Sequence, residues 1–184
     1  ASTWFTDARM ATSVGLIQKR HKYYIAIRRV CIQMDISNLI NMDTIFPNLK
    51  ASSKKQLLQE LGNIAKDKIG KPVYEIASVL MERERLGSTG MGHGVAIPHG
   101  RFAGLDQICG IFAKLEKPVN YDALDDQPVD LIFLLLVPEQ AGADHLKALA
   151  KISRIFRDQT ICEKLRGTDN GDAIFAILNS MQPA

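Results

Sequence analysis

The chain has 184 residues, of which 46% are apolar and 23% are charged, and its formal net charge at pH 7 is +3. This length suits one well-packed domain and is short for two. No apolar run approaches the roughly 20 residues that cross a bilayer, so the sequence predicts no transmembrane helix. The cysteines Cys31, Cys109 and Cys162 lack CxxC spacing. This argues against a disulfide framework or a thiolate metal site and favours a reducing cytoplasm.

The positive charge is concentrated near the N-terminus. Residues 1–33 contain six basic residues and one acidic residue, so residues 34–184 carry a net charge of −2. We interpret residues 1–33 as a dispensable basic extension, non-native or disordered, and residues 34–184 as the functional domain. We expect neither nucleic-acid binding nor membrane insertion. A basic arm that binds lipid or nucleic acid is the alternative interpretation of residues 1–33.

Two helices are predicted first along the domain. Ser52 and Ser53 precede a segment, residues 57–69, whose apolar residues keep helical spacing, and Gly70 ends it. Pro72 suits the first turn of a second helix, which ends near Glu84. The two segments are typical of a helical hairpin with one buried side.

The pattern then changes to strands that alternate with helices. Five glycines between residues 87 and 100 indicate a loop, within which residues 95–97 form a short apolar strand that stops at Pro98. Further elements are predicted as strands at 108–115 and 130–137, a helix from Asp144, and shorter helices near 161–165 and 172–178. This alternation predicts an α/β fold with a small mixed sheet between helices.

The glycine-rich stretch contains a candidate nucleophile, His99. A nucleophilic histidine keeps one ring nitrogen free while a hydrogen bond fixes the other. His99 lies between Pro98 and Gly100, which favours a rigid position at a strand end. Glycines also let backbone N–H groups converge on an anion. The loop residues expected to support a phosphate are Ser88, Thr89, Gly90, Gly92 and Gly94. On these features alone, a purely structural histidine is the default interpretation.

Two further residues extend this site. His145 opens a helix directly after a buried strand, where a side chain projects over the sheet edge. Arg83 and Arg85 precede the loop, and arginine offers the bidentate geometry that phosphate prefers. Only one of the two arginines is needed. Such a cluster accepts a phosphoryl group on one histidine while the other histidine and the arginine neutralise charge on its oxygens.

Other chemistries find less support. His93, His99, His145 and Asp144 are metal-ligand types, but no HExxH or HxH spacing is present, so we expect no metal. The chain lacks GxxxxGK[ST], and the glycines at 90, 92 and 94 are not followed by the helix of a dinucleotide site. We therefore expect no cofactor.

The string GSTGMGHGVAIPHG at residues 87–100 closely resembles the active-site signature of the enzyme IIA domains of the bacterial phosphoenolpyruvate-dependent phosphotransferase system. It is most similar to the nitrogen-regulatory branch, with the mannitol- and fructose-specific domains as sister groups. The likeness continues through YDALDDQPVD at residues 121–130 and the helix start at His145, and covers about residues 34–180. His93 departs from it, because the nitrogen branch carries a small polar residue such as asparagine there.

The resemblance implies a role for each site residue. His99 matches the phosphorylated histidine, with Nε2 as the phosphorylated atom, His145 the second active-site histidine, and Arg83 the arginine of the site. It also implies a five-stranded mixed sheet between helices. The donor would be a small histidine phosphocarrier protein, itself charged from phosphoenolpyruvate through enzyme I.

The implied function is that of a cytoplasmic phosphoprotein that regulates target proteins through the phosphorylation state of His99. The alternative is a fructose- or mannitol-specific IIA component that passes phosphate to a IIB domain. The string is nearest the nitrogen type and no IIB domain is present in the 184 residues, so we expect the regulator. Transfer between docked proteins predicts that His99 lies in a shallow exposed depression among apolar side chains. Met91 and Phe102 are the candidates for these apolar side chains, and a place in the core is the alternative for either.

Overall fold

The computed structural model describes residues 36–180, so the predicted extension at residues 1–33 lies outside the described residues. The strands are β1 (Ile45–Leu49), β2 (Gly90–Gly92), β3 (Val95–Ala96), β4 (His99–Phe102), β5 (Cys109–Val119) and β6 (Val129–Pro138). The helices are α1 (Lys54–Ile69), α2 (Val73–Arg85), α3 (Asp144–Phe156), α4 (Gln159–Arg166) and α5 (Gly171–Asn179), with short 3-10 turns at Ile36–Asn38 and Met42–Thr44. None of the helices within this range is long and apolar enough to cross a membrane.

The predicted mixed α/β fold is confirmed, with six strands in the sheet where about five were expected. The strands follow the order β1-β5-β6-β3-β2, and β4 also pairs with β6. β6 is antiparallel to β5 and parallel to β3 and β4. Seven consecutive residues of β6, 131–137, are buried, because strands lie on both of its sides and helices on both of its faces.

Two helical layers enclose this sheet. On one face, the hairpin of α1 and α2 packs against alternate residues of β6, including Ile132 and Leu134. On the other face, the ring of Phe156 from α3 lies 6.2 Å from that of Phe112 and 5.8 Å from that of Phe133. The period-2 alternation of a strand sends successive side chains to opposite layers, so both faces of β5 and β6 are apolar.

The helical hairpin forms as its sequence predicts. Ser53 caps α1 by accepting a hydrogen bond from the backbone N–H of Gln56, and Gly70 ends the helix with a φ of +67°. Pro72 stands immediately before α2 at its N-cap. Because α1 ends in a left-handed glycine, the chain reverses within three residues and the two apolar faces meet.

Three strands were absent from the sequence prediction. β1 contains Pro47, which lacks an N–H and is tolerated because β1 is an edge strand. β2 is the sequence Gly90-Met91-Gly92, which is typical of a loop. β4 begins at His99 and pairs with Leu135 of β6, so His99 lies at a strand end as predicted, and the strand that starts there is the addition.

β3 and β4 behave as one strand with a short interruption. Both run parallel to β6, β3 beside Leu131 and β4 beside Leu135. Only Ile97 and Pro98 separate them, and the carbonyl of Pro98 still accepts a hydrogen bond from the N–H of Leu135. Proline removes one donor from the ladder without ending it, because β6 continues unbroken alongside.

Candidate active site around His99

His99 is half-buried at the start of β4 and both of its ring nitrogens are engaged. Nδ1 lies 2.9 Å from the carbonyl oxygen of Ile97. Nε2 accepts a hydrogen bond of 3.0 Å from Nε of Arg83. A carbonyl oxygen only accepts, so these two contacts together fit the neutral tautomer with its proton on Nδ1. Nε2 therefore carries no proton, and its lone pair can attack phosphorus once the hydrogen bond from Arg83 is given up.

The surroundings of His99 favour this neutral form. Burial of the ring lowers the pKa of His99 below the ordinary histidine value, and the nearby charge of Arg83 acts in the same direction. The hydrogen bond to Ile97 opposes these effects without overcoming them. His99 is thus kept as a neutral base whose Nε2 faces a cation.

Arg83 reaches His99 from the last turn of α2. Its Nη1 donates to the carbonyl oxygen of Gly87 at 3.0 Å, while its Nε donates to His99. The short segment that ends α2 therefore holds the guanidinium against the imidazole. A negatively charged group bonded to Nε2 would meet this guanidinium directly.

His145 lies at the beginning of α3, as predicted, with its Nδ1 2.7 Å from the carbonyl oxygen of Gly142. Arg101 contacts the same ring: its Nη2 is 3.2 Å from Nδ1 and 3.3 Å from Nε2. An approach in the ring plane to both nitrogens at once would collide with the C–H group between them. The guanidinium of Arg101 therefore lies against the face of the imidazole.

The alternation of β4 explains why these groups meet. A Cβ atom at Gly100 would lie 2.9 Å from Val79 of α2, and Phe102 belongs to the core beneath the α1–α2 hairpin. His99 and Arg101, the other two residues of β4, therefore face the opposite layer, where α3 lies. Arg83 approaches from the α1–α2 layer, so the site joins side chains from both helical layers.

A buried polar cluster lies directly behind Arg83. Glu84 accepts hydrogen bonds from the backbone N–H of Thr89 at 2.9 Å and from its hydroxyl at 2.6 Å. Lys54 forms an ion pair with Glu84 at 3.0 Å, and the hydroxyl of Tyr121 lies 3.2 Å from that of Thr89. Burial alone would raise the pKa of Glu84, but the hydrogen bonds from Thr89 and the charge of Lys54 lower it. The cluster fixes the start of the glycine-rich segment to α2.

The predicted phosphate-supporting residues lie in the β2–β3 hairpin or directly before it. The hydroxyl of Ser88 donates to the carbonyl oxygen of Tyr121 at 3.2 Å and accepts from the N–H of Gly90. Gly90 packs so closely on Ala123 that a Cβ atom there would be 2.8 Å away. Gly92 and Gly94 belong to the same β2–β3 hairpin. Close packing accounts for these positions, and their role in holding phosphate stays a prediction.

His93, the departure from the expected pattern, is exposed at the tip of this hairpin. Its φ is +55° and that of Gly94 is +77°. Two consecutive residues with positive φ are typical of a two-residue hairpin turn, in which asparagine followed by glycine is preferred. The turn is held by Arg166, which donates to the carbonyl oxygen of His93 at 2.8 Å and pairs with Asp130 through two hydrogen bonds of 2.7 Å.

The apolar rim differs from the prediction. Phe102 is only 3% exposed and belongs to the core, because it points toward the α1–α2 hairpin, so the core alternative holds for it and the docking role does not. Met91 is half-buried. Three leucines next to site segments are instead strongly exposed: Leu86 after α2, Leu124 in the loop beside Gly90, and Leu146 next to His145.

Residues 38–181 match the family described as phosphoenolpyruvate-dependent sugar phosphotransferase system, EIIA 2. The chain belongs to this enzyme IIA family. It is 50% identical over 151 residues to a nitrogen regulatory protein of Bradyrhizobium diazoefficiens, a match that covers 82% of this chain and 98% of the relative. A nitrogen regulatory protein of Escherichia coli is 33% identical over 150 residues, covering 81% and 92%.

Solved structures agree with this placement. The nitrogen regulatory protein IIA-Ntr from Neisseria meningitidis superposes with a TM-score of 0.74 at 40% identity, covering 78% of this chain and 98% of that one. The mannitol IIA of Escherichia coli, at 19% identity and a TM-score of 0.63, shares the fold. This IIA protein is a phosphotransferase component, and its relatives favour the nitrogen-regulatory role over the sugar-specific one.

The structure of this IIA protein brings the predicted Arg83 and His99 into direct contact and adds three residues that sequence reasoning missed: Glu84, Tyr121 and Arg101. Glu84 lies on the same buried face of α2 as Ile76 and Leu80. An acidic residue on an otherwise apolar helix face was the sequence signal that could have pointed to it. Arg101 lies two residues after His99, which places both on one strand face once β4 is known. Tyr121 opens the string at residues 121–130 that shares the family likeness, but nothing in that string predicts its contact with Glu84. Within residues 36–180, no three His, Cys, Asp or Glu side chains gather in a way that could hold a metal ion.

Proposed function

We propose that this IIA protein accepts a phosphoryl group on Nε2 of His99 from the phosphohistidine of a nitrogen-branch carrier protein, and regulates target proteins through its phosphorylation state. The observation that carries the proposal is the paired engagement of the ring, with Nδ1 on the carbonyl of Ile97 and Nε2 facing Arg83. The nitrogen regulatory relatives support the choice of branch.

The transfer needs no proton to move. The lone pair on Nε2 of His99 attacks phosphorus, the nitrogen–phosphorus bond of the donor breaks, and its electron pair returns to the donor ring. The proton on Nδ1 stays hydrogen-bonded to the carbonyl of Ile97, which stabilises the positive charge that develops on the imidazole of His99. The protein contributes alignment and charge, and the energy is held in the phosphoramidate bond.

Arg83 and His145 supply charge to the phosphoryl oxygens in this proposal. The guanidinium of Arg83 already donates to Nε2, so it is within reach of oxygens on a phosphorus bonded there. Nδ1 of His145 is engaged by Gly142, which leaves Nε2 as the nitrogen that would face the phosphoryl group. Neither residue forms a covalent bond in the step.

Docking must bring two histidines within bonding distance and then release them. The exposed side chains of Leu86, Leu124 and Leu146 offer a small apolar rim beside the segments that carry Arg83, Gly90 and His145. Transient complexes of this type bury little area. A phosphoryl group adds nearly two negative charges, so it changes which partners match the surface around His99.

The proposal extends to domain organisation and location. We place the phosphotransferase domain at residues 34–184 and the dispensable extension at residues 1–33, supported by a family match that begins at residue 38. A cytoplasmic location fits the unpaired thiols of Cys109 and Cys162, since reducing compartments keep thiols free.

The test is transfer from enzyme I, a histidine phosphocarrier and phosphoenolpyruvate, followed by intact-mass spectrometry. Wild type should gain about 80 Da in an acid-labile form, the mass of one phosphoryl group. His99→Gln should gain nothing, whereas His93→Gln, which alters an exposed histidine of the neighbouring hairpin, should behave as wild type. Equal labelling of His99→Gln, or no labelling of wild type by a charged carrier, would contradict the proposal.

A further inference from the structure

Arg101 has no role in the transfer proposed for His99, Arg83 and His145, although it lies on the same strand as His99. β4 has four residues, and its alternation places His99 and Arg101 on the face toward α3 while Gly100 and Phe102 face α2. Consecutive side chains on one strand face are about 7 Å apart at their Cα atoms, well within the reach of an arginine side chain.

The side chain of Arg101 is exposed and contacts the ring of His145. Its guanidinium lies against the ring face, with Nη2 at 3.2 and 3.3 Å from the two nitrogens. Such an exposed contact between a cation and a ring face is weak. A charge-assisted hydrogen bond to a phosphoryl oxygen is stronger and is bidentate for arginine.

We propose that Arg101 is a second phosphoryl-binding arginine, which rests on His145 before transfer and turns to the phosphoryl group on His99 when it arrives. The inference rests on the proposed role of His99. Arg83 then approaches the phosphoryl group from the α1–α2 layer and Arg101 from the α3 layer, so that cations from both layers neutralise its charge.

The test uses potassium phosphoramidate, a small donor that phosphorylates without protein docking, in parallel with the phosphorylated carrier. The full chain is compared as wild type, Arg101→Met and Arg101→Lys, with Arg85→Met as the control for loss of an exposed arginine near the site. Arg101→Met should accept phosphate about tenfold more slowly from both donors. Arg101→Lys should recover part of the rate and Arg85→Met all of it from phosphoramidate.

A spectroscopic readout separates binding from a structural effect. In the nitrogen–proton NMR spectrum, the side-chain Nε–H resonance of Arg101, assigned by its loss in Arg101→Lys, should shift when wild type is phosphorylated. It should stay in place when His99→Gln is exposed to the same donor.

Three results would overturn the inference while leaving the proposed function intact. These are an unchanged rate of acceptance in Arg101→Met, slower acceptance by Arg101→Met from the carrier alone, or an Arg101 resonance that does not shift on phosphorylation. The second of these would make Arg101 a docking residue. If wild type takes phosphate from neither donor, the proposed function fails and this inference falls with it.

Discussion

The two histidines of the site are held in different ways. The ring of His99 is half-buried and has a hydrogen-bond partner in line with each nitrogen, Ile97 on one side and Arg83 on the other. The ring of His145 lies at the first turn of a surface helix, fixed by the carbonyl of Gly142 and covered by an exposed guanidinium. The ring of His99 is fixed by contacts at both nitrogens within the fold, whereas one of the two contacts of the His145 ring is an exposed side chain.

This contrast extends to what lies behind each ring. Behind Arg83 and His99 is the buried cluster of Glu84, Lys54, Thr89 and Tyr121. Beside His145 lies the exposed ion pair of Asp144 and Lys147. A nucleophile needs a fixed lone pair, so rigidity is concentrated there, while a charge-neutralising group works better if it adjusts to the phosphoryl oxygens.

The largest expected effect is on stability, from removal of the buried charge behind His99. Glu84→Gln should lower the free energy of unfolding by about 2–4 kcal/mol, because Lys54 loses its buried partner and an amide N–H₂ group then faces donors. Since the native pKa of Glu84 is lowered, its stabilising effect is present above the unfolded-state pKa and is lost as pH falls through the folded-state pKa. Urea unfolding at several pH values measures both.

The matched control is Asp144→Asn beside His145. Its ion pair with Lys147 is more than half exposed, so this variant should change the free energy of unfolding by less than about 1 kcal/mol. Equal losses of unfolding free energy in Glu84→Gln and Asp144→Asn would contradict the difference between the buried cluster and the surface ion pair.

The next-largest expected effect is on the rate of phosphoryl transfer. Arg83→Met and His145→Gln should each slow phosphoryl acceptance about tenfold to hundredfold while leaving some transfer, because each removes one charge-neutralising group and keeps the nucleophile. Quenched-flow transfer from the phosphorylated carrier measures the rates, and urea unfolding confirms that both variants fold. A complete loss of transfer in His145→Gln would mean that His145, and not only His99, handles the phosphoryl group covalently.

Much of this site was predictable from sequence because its signals are local. The string at residues 87–100 carries the nucleophile and its loop, and the capped helix of Ser53 to Gly70 follows from spacing and capping residues. What sequence reasoning missed depends on strand pairing. Arg101 lies beside His99 only because β4 pairs with β6. The sequence did not predict β4, because the preceding Pro98 is typical of a strand end. Tyr121 reaches Glu84 across 37 positions of the chain, a distance that no local pattern encodes.

The smallest effect, and the most direct test of the difference between the rings, is the titration of His99. Burial and then the charge of Arg83 lower its pKa, so the neutral ring with a free Nε2 should persist below the ordinary midpoint of about 6.5. Because the unfolded chain takes up this proton first as pH falls, the stability contributed by His99 is present above the unfolded-state pKa and declines toward the folded-state one. NMR titration of the ring protons should show a midpoint below the ordinary value, which rises in Arg83→Met but stays depressed by burial. A wild-type midpoint at or above the ordinary value would mean that the lone pair on Nε2 is not protected by the fold, and that the carrier must itself exclude the proton on docking.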